Sequence, residues 1–313
     1  MPTEVSLHQS RIEAAISGGL AARSPIAASW ARSARLHRLD PGARKPRLRV
    51  TGQELSRARE RLGPVLPLAA PHLDQLFQVT GSLGACIVMA DADGIAVERR
   101  GNPGDDRDFA DSGLWTGTLW SEAEAGTNAI GTCLAEGRAV TVHRDQHYLA
   151  SNIGLSCSSV PLYGHDGDLL AIIDVSTARD GLPEAILGLI TGTLAEAVRK
   201  LEADLLHHHF PRARIVMVPG QEAAAGALLA VDADDLVIGA TRAARQCLGL
   251  GPDVGTVPRP LADLLGLECH ERIEDAERAV LSRALARSGG NVSAAARALG
   301  LSRATLHRKL GRG

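Results

Sequence analysis

The densest chemistry in the chain lies in its last forty residues. From Arg278 to the C-terminus there are eight cationic side chains (Arg278, Arg283, Arg287, Arg297, Arg303, Arg308, Lys309, Arg312) and no acid. Guanidinium and ammonium groups carried on a short helix bind phosphate oxygens, and arginine can also read the acceptor edge of guanine. The residues placed to do so are Asn291, Ser293, Ser302, Arg303, Thr305, His307, Arg308 and Lys309. A charge run alone also fits a solvated helix face. The spacing around these charges is what adds weight.

Apolar residues recur at Ile273, Ala276, Val280, Leu281, Ala284 and Leu285, the three-and-four rhythm of one helix face, and Gly289-Gly290 stops that helix. Asn291 has the short polar side chain of an N-cap ahead of the Ala-rich helix 292–299, which Gly300 breaks. Ser302 caps a third helix, 303–310. Two short helices around a glycine turn, with small Ala295 and Ala296 at their crossing, predict a helix-turn-helix. The run from Gly290 to Leu306, followed by Arg308-Lys309-Leu310, resembles the Fis-type DNA-binding domain. That resemblance implies that residues 302–309 are the recognition helix.

A second group of residues predicts a pocket. The segment 115–132 is dense in Gly, Thr and Asn and reads as too polar and too flexible to be core. It lies between a predicted hairpin and later strands. Trp120, Thr127, Asn128, Cys157 and Asp174 are the candidate ligand-binding residues. The competing reading is that Gly126, Asn128 and Gly131 only satisfy a turn and a helix cap. His143 and His147 are four apart and His207-His208-His209 are adjacent, but no carboxylate or thiol stands at ligand spacing, so surface or helix-end histidines are the expectation and no metal is predicted. Gly154-Leu155-Ser156-Cys157-Ser158 lacks the last glycine of a nucleophile elbow, which makes Cys157 core or pocket wall.

The elements that must hold these groups follow from composition and pattern. The 313 residues suffice for two or three domains, 45% are apolar, and with only 3% aromatic the cores must be filled by Leu, Val, Ile and Ala. Charge is divided along the chain: residues 1–62 carry +7, residues 63–277 carry −17 and the tail +8. An acidic body bearing a basic end suits a regulator that faces DNA with one end. No apolar run approaches the ~18 residues of a membrane helix, residues 1–30 lack a signal-type core, and the five cysteines form no C-x-x-C pair. A cytoplasmic protein with reduced thiols, no cofactor and no membrane contact is expected.

Helices are predicted over 7–20, 24–39 and 53–62, where Arg32, Arg35, Arg38, Arg44, Arg47 and Arg49 either touch phosphate or line a solvated face. A helix over 64–81 then precedes strands at 85–90 and 95–99, turned by Asp93-Gly94, and strands at 139–143, 155–162 and 169–176. The closing helix, 183–206, aligns Ile186, Ile190, Leu194, Ala197, Leu201 and Leu205 in a stripe that packs on its own sheet or pairs with a second chain. Trp120-Ser121-Glu122, Gly126-Thr127-Asn128-Ala129-Ile130-Gly131-Thr132, Ala135-Glu136-Gly137-Arg138 and Ile173-Asp174-Val175-Ser176 resemble the GAF sensor domain of bacterial activators of the acetoin-catabolism type. Ser29-Trp30, Leu39-Asp40-Pro41 and the run Ala90 to Gly94 fit the same family.

Together these readings give an α+β protein. N-terminal helices (1–62) precede a GAF domain with an antiparallel sheet flanked by helices (63–206), a shortened PAS-like spacer (207–270) and an all-α helix-turn-helix (271–313). The spacer rests on strands at 227–231 and 236–238 and a helix at 241–248, and is expected to bind no ligand. Full-length members of that family carry an AAA+ ATPase between sensor and DNA-binding domain. Here the three lysines follow Arg44, Arg199 and Arg308, so no Gly-Lys-Ser/Thr phosphate loop exists. The resemblance thus implies a regulator without ATPase activity of its own. Its partners would be double-stranded DNA, a second copy of itself, a small-molecule effector, and RNA polymerase or a further regulator. Two other classes compete: a thiol enzyme of the methionine sulfoxide reductase type using Cys86, Cys133 and Cys157, and a ligand-free DNA-architectural protein. Coupling between sensor and tail would run through a two-chain seam on helix 183–206, or would be absent if Gly220, Gly226 and residues 249–255 form a passive tether.

Overall fold

The computed structural model describes residues 4–43, 46–179, 183–219, 226–255, 257–267 and 272–311. Arg44, Lys45, Gly220, Cys269 and Arg312, all considered above, lie outside them. The chain forms two compact units, Met1–Leu261 and Ala262–Gly313.

The first unit opens with three helices, α1 (Glu4–Ser17), α2 (Pro25–Ala31) and α3 (Gly52–Leu62). Ser24 caps α2 by accepting the Ala27 amide, and Pro25 at the first helical position supplies its fixed φ. The helix predicted over 24–39 is shorter as α-helix and continues as a π turn, Arg32–Leu36. Thr51 and Glu54 form a reciprocal capping box on α3, with Glu54 Oε2 accepting the Thr51 amide at 2.7 Å. The basic run here is largely structural. Arg32 bonds Glu122 and Glu136, Arg47 lies 5.2 Å from the Trp120 ring centroid, and Arg49 donates to the Thr116 carbonyl. Arg32 and Arg47 thus face the protein rather than phosphate; Arg35 and Arg38 remain exposed.

Helix α4 (Val65–Thr80) leads into the hairpin of β1 (Ala85–Asp91) and β2 (Ala96–Arg100). At its turn Asp91 Oδ1 accepts the amides of Asp93 and Ile95, an Asx turn that Arg61 clamps by bonding Asp91 and Asp93. Three short helices follow, α5 (Asp106–Asp111), α6 (Glu122–Ala125) and α7 (Ala129–Glu136), then β3 (Val140–His143), β4 (Ser156–Tyr163), β5 (Leu169–Thr177) and the long α8 (Glu184–His209). The five strands make an antiparallel sheet in the order β2-β1-β5-β4-β3.

Because β1 and β5 are covered on both faces, they read as near-continuous apolar runs rather than alternations, whereas the equally buried β4 carries Ser156, Ser158 and Ser159. One face packs Ile87, Met89, Val160 and Ile173 against Leu73 of α4 and Ile190, Leu194, Val198 and Leu201 of α8. The α8 stripe is therefore consumed by its own sheet. Of the two alternatives for this stripe, its buried residues Ile190, Leu194, Leu201 and Leu205 take packing on the chain's own sheet. The other face packs Cys86, Val88, Cys157 and Ile172 against Phe109, Leu114, Trp120 and Ile130.

A second antiparallel sheet, β6 (Arg214–Met217), β7 (Leu228–Val231), β8 (Leu236–Ala240) and β9 (Arg259–Pro260) in that order, carries α9 (Arg242–Leu248) and is followed by α10 (Leu261–Leu264). Strands β6 and β9 were not legible in the sequence, being short and half-exposed. This sheet is tied to the larger one by Arg242, whose guanidinium lies 3.7 Å from the Tyr163 ring centroid, and by Arg245 donating to the His165 carbonyl.

The second unit is three helices, α11 (Ile273–Arg287), α12 (Val292–Ala298) and α13 (Arg303–Leu310). Leu281, Ala284, Ala295, Ala296 and Leu306 form its core. Ala295 and Ala296 are buried where α12 packs, as their small size requires.

Candidate sensor pocket and DNA-binding surface

Segment 115–132 is largely buried, and continuously so from Ala125 to Thr132, in contrast to the polar, flexible stretch that its composition suggests. Thr127, Asn128 and Thr132 are all buried. Their polar groups are satisfied at long range and locally. Ser29 Oγ lies 2.5 Å from Glu122 Oε1 and 2.7 Å from Thr127 Oγ1, so α2 supplies a hydroxyl partner to the Glu122 carboxylate of α6 and to Thr127 ahead of α7. Asn128 Oδ1 accepts the Gly131 amide and its Nδ2 donates to the carbonyls of Trp120 and Gly126. Position 131 must be glycine, because a Cβ there would sit 2.5 Å from the Trp120 carbonyl oxygen and 2.7 Å from the Glu122 nitrogen, both backbone atoms that cannot move aside.

Trp120, Asn128, Cys157 and Asp174 nevertheless come together. With Leu114, Ala129, Ile130, His147 and Ser176 they surround a cavity of about 10 Å³ on the inner face of the sheet. That is room for about one water, so a larger molecule needs the segment to move. Thr127 is not part of it, its hydroxyl being engaged with Ser29 and Ser33. Wider clefts of about 350, 490 and 430 Å³ lie elsewhere on the first unit, and none of the five candidate residues lines them.

The electrostatics of this cavity are unusual. Asp174 accepts the hydroxyls of Ser159 at 2.6 Å and Ser176 at 2.5 Å, yet burial outweighs both and pushes its carboxyl up to about 6. His147 is fully buried, which pushes it down to about 4; its Nδ1 is 2.9 Å from the Arg144 carbonyl and its Nε2 has no hydrogen-bond partner among the described residues. The sequence reading placed His147 in a surface cluster; it is instead a neutral core histidine. Among the described residues no three His, Cys, Asp or Glu side chains gather as a metal site.

The thiols of Cys86, Cys133 and Cys157 are all raised by burial, Cys86 to about 12 and the other two well above the usual thiol value. Their thiolate population at neutral pH is negligible, which weighs against nucleophilic thiol chemistry.

A pH test isolates Asp174. Its folded value lies above the unfolded one near 4, so the stability tied to its protonation is present below pH 4 and lost as pH rises through 6. The shift amounts to about 3 kcal/mol at full ionisation. His147 acts oppositely, losing stability as pH falls from 6.5 toward 4. Asp174→Asn removes only the first effect. We expect the variant to gain roughly 1–3 kcal/mol over wild type at pH 8 and nothing near pH 4, measured by urea unfolding. An equal difference at both pH values would show that Asp174 is not held above its usual range.

In the second unit Asn291 caps α12 by accepting the Ala294 amide, and Ser302 caps α13 by accepting the Thr305 amide, each at 3.1 Å. These two side chains are thus committed to the helix ends. Ser293, Arg303, His307 and Arg308 are exposed, and Arg303 and Arg308 have no ion-pair partner among the described residues. Thr305 is half-buried with its hydroxyl 2.8 Å from Ser302 Oγ, and Lys309 is paired with Glu277 of α11. The first turn of α13 therefore offers Arg303, with no side-chain acid near it, beside a capped N-terminus.

Comparison with known proteins agrees with both halves. Residues 65–199 match the GAF domain family and residues 272–313 match the Fis family of bacterial regulatory proteins. The chain is 32% identical over 282 residues to the acetoin catabolism regulatory protein of Cupriavidus necator, an alignment covering 84% of this chain and 41% of that protein. It is 28% identical over 181 residues to the acetoin dehydrogenase operon transcriptional activator AcoR of Bacillus subtilis, covering 58% and 30%. The chain thus spans less than half the length of these relatives. Among solved structures, the Escherichia coli DhaR(N)-DhaL complex contains a chain that superposes with a TM-score of 0.54 at 18% identity, covering 76% of this chain and 81% of that one. The chain thus carries a GAF domain and a Fis-type helix-turn-helix and is similar, over the aligned residues, to regulators of acetoin catabolism.

Proposed function

We propose that the protein is a signal-responsive, DNA-binding transcriptional regulator: the GAF domain binds a small effector on the inner face of its sheet, and α13 enters the major groove. The observation that carries the reading is the capped α13 with Arg303, His307 and Arg308 exposed, held over the buried pair Ala295 and Ala296. The relatives named above are regulators of transcription, and no phosphate-loop lysine is present, so the ATP-driven step of longer activators falls outside this chain. Its partners are double-stranded DNA, a second copy, an effector held near Trp120, Asn128, Cys157 and Asp174, and RNA polymerase or a further regulator. The case for a second copy rests on α11, where Ile273, Ala276 and Val280 leave an exposed apolar edge, and on the small footprint of one recognition helix.

Arg303→Ala tests the DNA arm. With a duplex enriched from random sequence by the wild-type protein, the variant should bind roughly 5–150-fold more weakly, the equivalent of losing about 1–3 kcal/mol of base readout. Equal binding by wild type and by a chain ending at Asp275 would refute the assignment.

A further inference from the structure

Arg99 projects from β2 onto the same face of the sheet as the sensor cavity, its register partner being Val88 of the inner core. Its Nη1 is 2.7 Å from Asp106 Oδ1. Its guanidinium lies 4.4 Å from the Trp115 ring centroid and 5.7 Å from that of Phe109. Nε and Nη2, the two nitrogens whose N–H bonds run parallel along one edge, are buried and make no well-formed hydrogen bond among the described residues, with the weakly accepting Cys86 thiol beside the guanidinium. Leaving charged donors buried and unpaired is costly. The same parallel pair fits the two oxygens of one oxyanion. Gly101 leaves room for the head group there, since a Cβ at that position would lie 2.8 Å from the guanidinium carbon.

We infer that Arg99 anchors the anionic end of the effector, and that this effector is a small organic monocarboxylate. The inference rests on the proposed sensor role of the GAF domain and adds the chemical class of its ligand. A single negative charge suits the site because Asp106 already offsets part of the arginine. The walls are Trp115, Phe109, Val88 and the Cys86 thiol, which offer no second cation for a phosphate dianion. Cys86 joins this edge to the cavity, because its register partner Ser176 lines the cavity beside Cys157 and Asp174. The ligand's tail therefore runs from Arg99 toward Asp174.

The test uses the full chain and measures binding of acetate, lactate, pyruvate, inorganic phosphate and the neutral diol 1,2-propanediol, by calorimetry and by shift of the melting temperature. The expected result is saturable binding of at least one of the three carboxylates to wild type, weakened at least 30-fold in Arg99→Met and in Arg99→Lys, which keeps the charge but not the parallel pair. Arg99→Met without anion should melt at or above the wild-type temperature, because two buried donors without acceptors have been removed while Asp106, 39% exposed, keeps its hydration. Gly101→Ala, which displaces the guanidinium without removing it, should weaken carboxylate binding as well. No saturable binding of the three carboxylates to wild type overturns the inference, as does equal binding by wild type and Arg99→Met. Phosphate binding without carboxylate binding also overturns it. Binding of the diol alone, unchanged in Arg99→Met, keeps the sensor reading and removes the anion from it.

Discussion

Replacing Leu306 by Ala is expected to abolish DNA binding while leaving the first unit folded. Leu306 is fully buried at the centre of the three-helix unit, against Leu281, Ala284, Ala295 and Ala296. Truncating a buried leucine costs about 3–5 kcal/mol in transfer and cavity terms. A unit of some forty residues carries only about 2–6 kcal/mol of stability at the usual scale per residue. The substitution thus removes most or all of what holds α13 in place. It removes no charge, so the contrast with Arg303→Ala is informative. The arginine variant loses base readout from a folded helix, whereas the leucine variant loses the helix. Limited proteolysis should cleave Leu306→Ala within residues 272–311 and spare residues 65–199, and the mobility shift should vanish at protein concentrations a hundredfold above the wild-type midpoint. A variant that retains specific binding would place the recognition surface somewhere other than on α13.

What the sequence disclosed and what it hid divide along a physical line. Helix ends were legible because caps are local: Asn291 and Ser302 bond amides three residues on. The hairpin at Asp93-Gly94 was legible for the same reason, its Asx turn closing within five residues. Strands β1 and β5 stood out as apolar runs because both their faces are covered. Segment 115–132 was misread because its polar residues are satisfied from far along the chain. The buried Thr127 hydroxyl is partnered by Ser29 and Ser33, 98 and 94 residues away. No local pattern announces such a partner.

In the sequence His147 reads as a surface histidine, and Arg99 goes unmarked, for a related reason. A histidine in a polar loop and an arginine near the end of a strand are ordinary in sequence. Their interest lies in Nε2, or Nε and Nη2, being buried without a well-formed hydrogen bond, which is a property of packing. The α8 stripe was visible, but periodicity gives a face and not its occupant. The occupant turned out to be the sheet of the same chain.

That last point yields a second large expected effect. Leu194 is 0% exposed, packed between α4 and the sheet. Leu194→Asp both deletes a core leucine and forces a carboxyl into an apolar site, together well above 4 kcal/mol. That is a large share of the 5–15 kcal/mol typical of a whole domain. The variant should lose cooperative unfolding of the first unit and expose apolar surface to a hydrophobic dye, a folding failure and not a clean separation of two chains. Ile273 is 90% exposed on α11, where a polar substitution costs the folded unit little, within about 0.5 kcal/mol. Ile273→Asp should therefore remain folded, with an unchanged melting profile, and shift the sedimentation equilibrium toward monomer. Symmetric recognition of two half-sites about 34 Å apart requires both recognition helices on one assembly, so DNA affinity should fall together with self-association. A folded, monomeric Leu194→Asp beside an Ile273→Asp that still self-associates would return the inter-chain contact to α8 and overturn its assignment to α11.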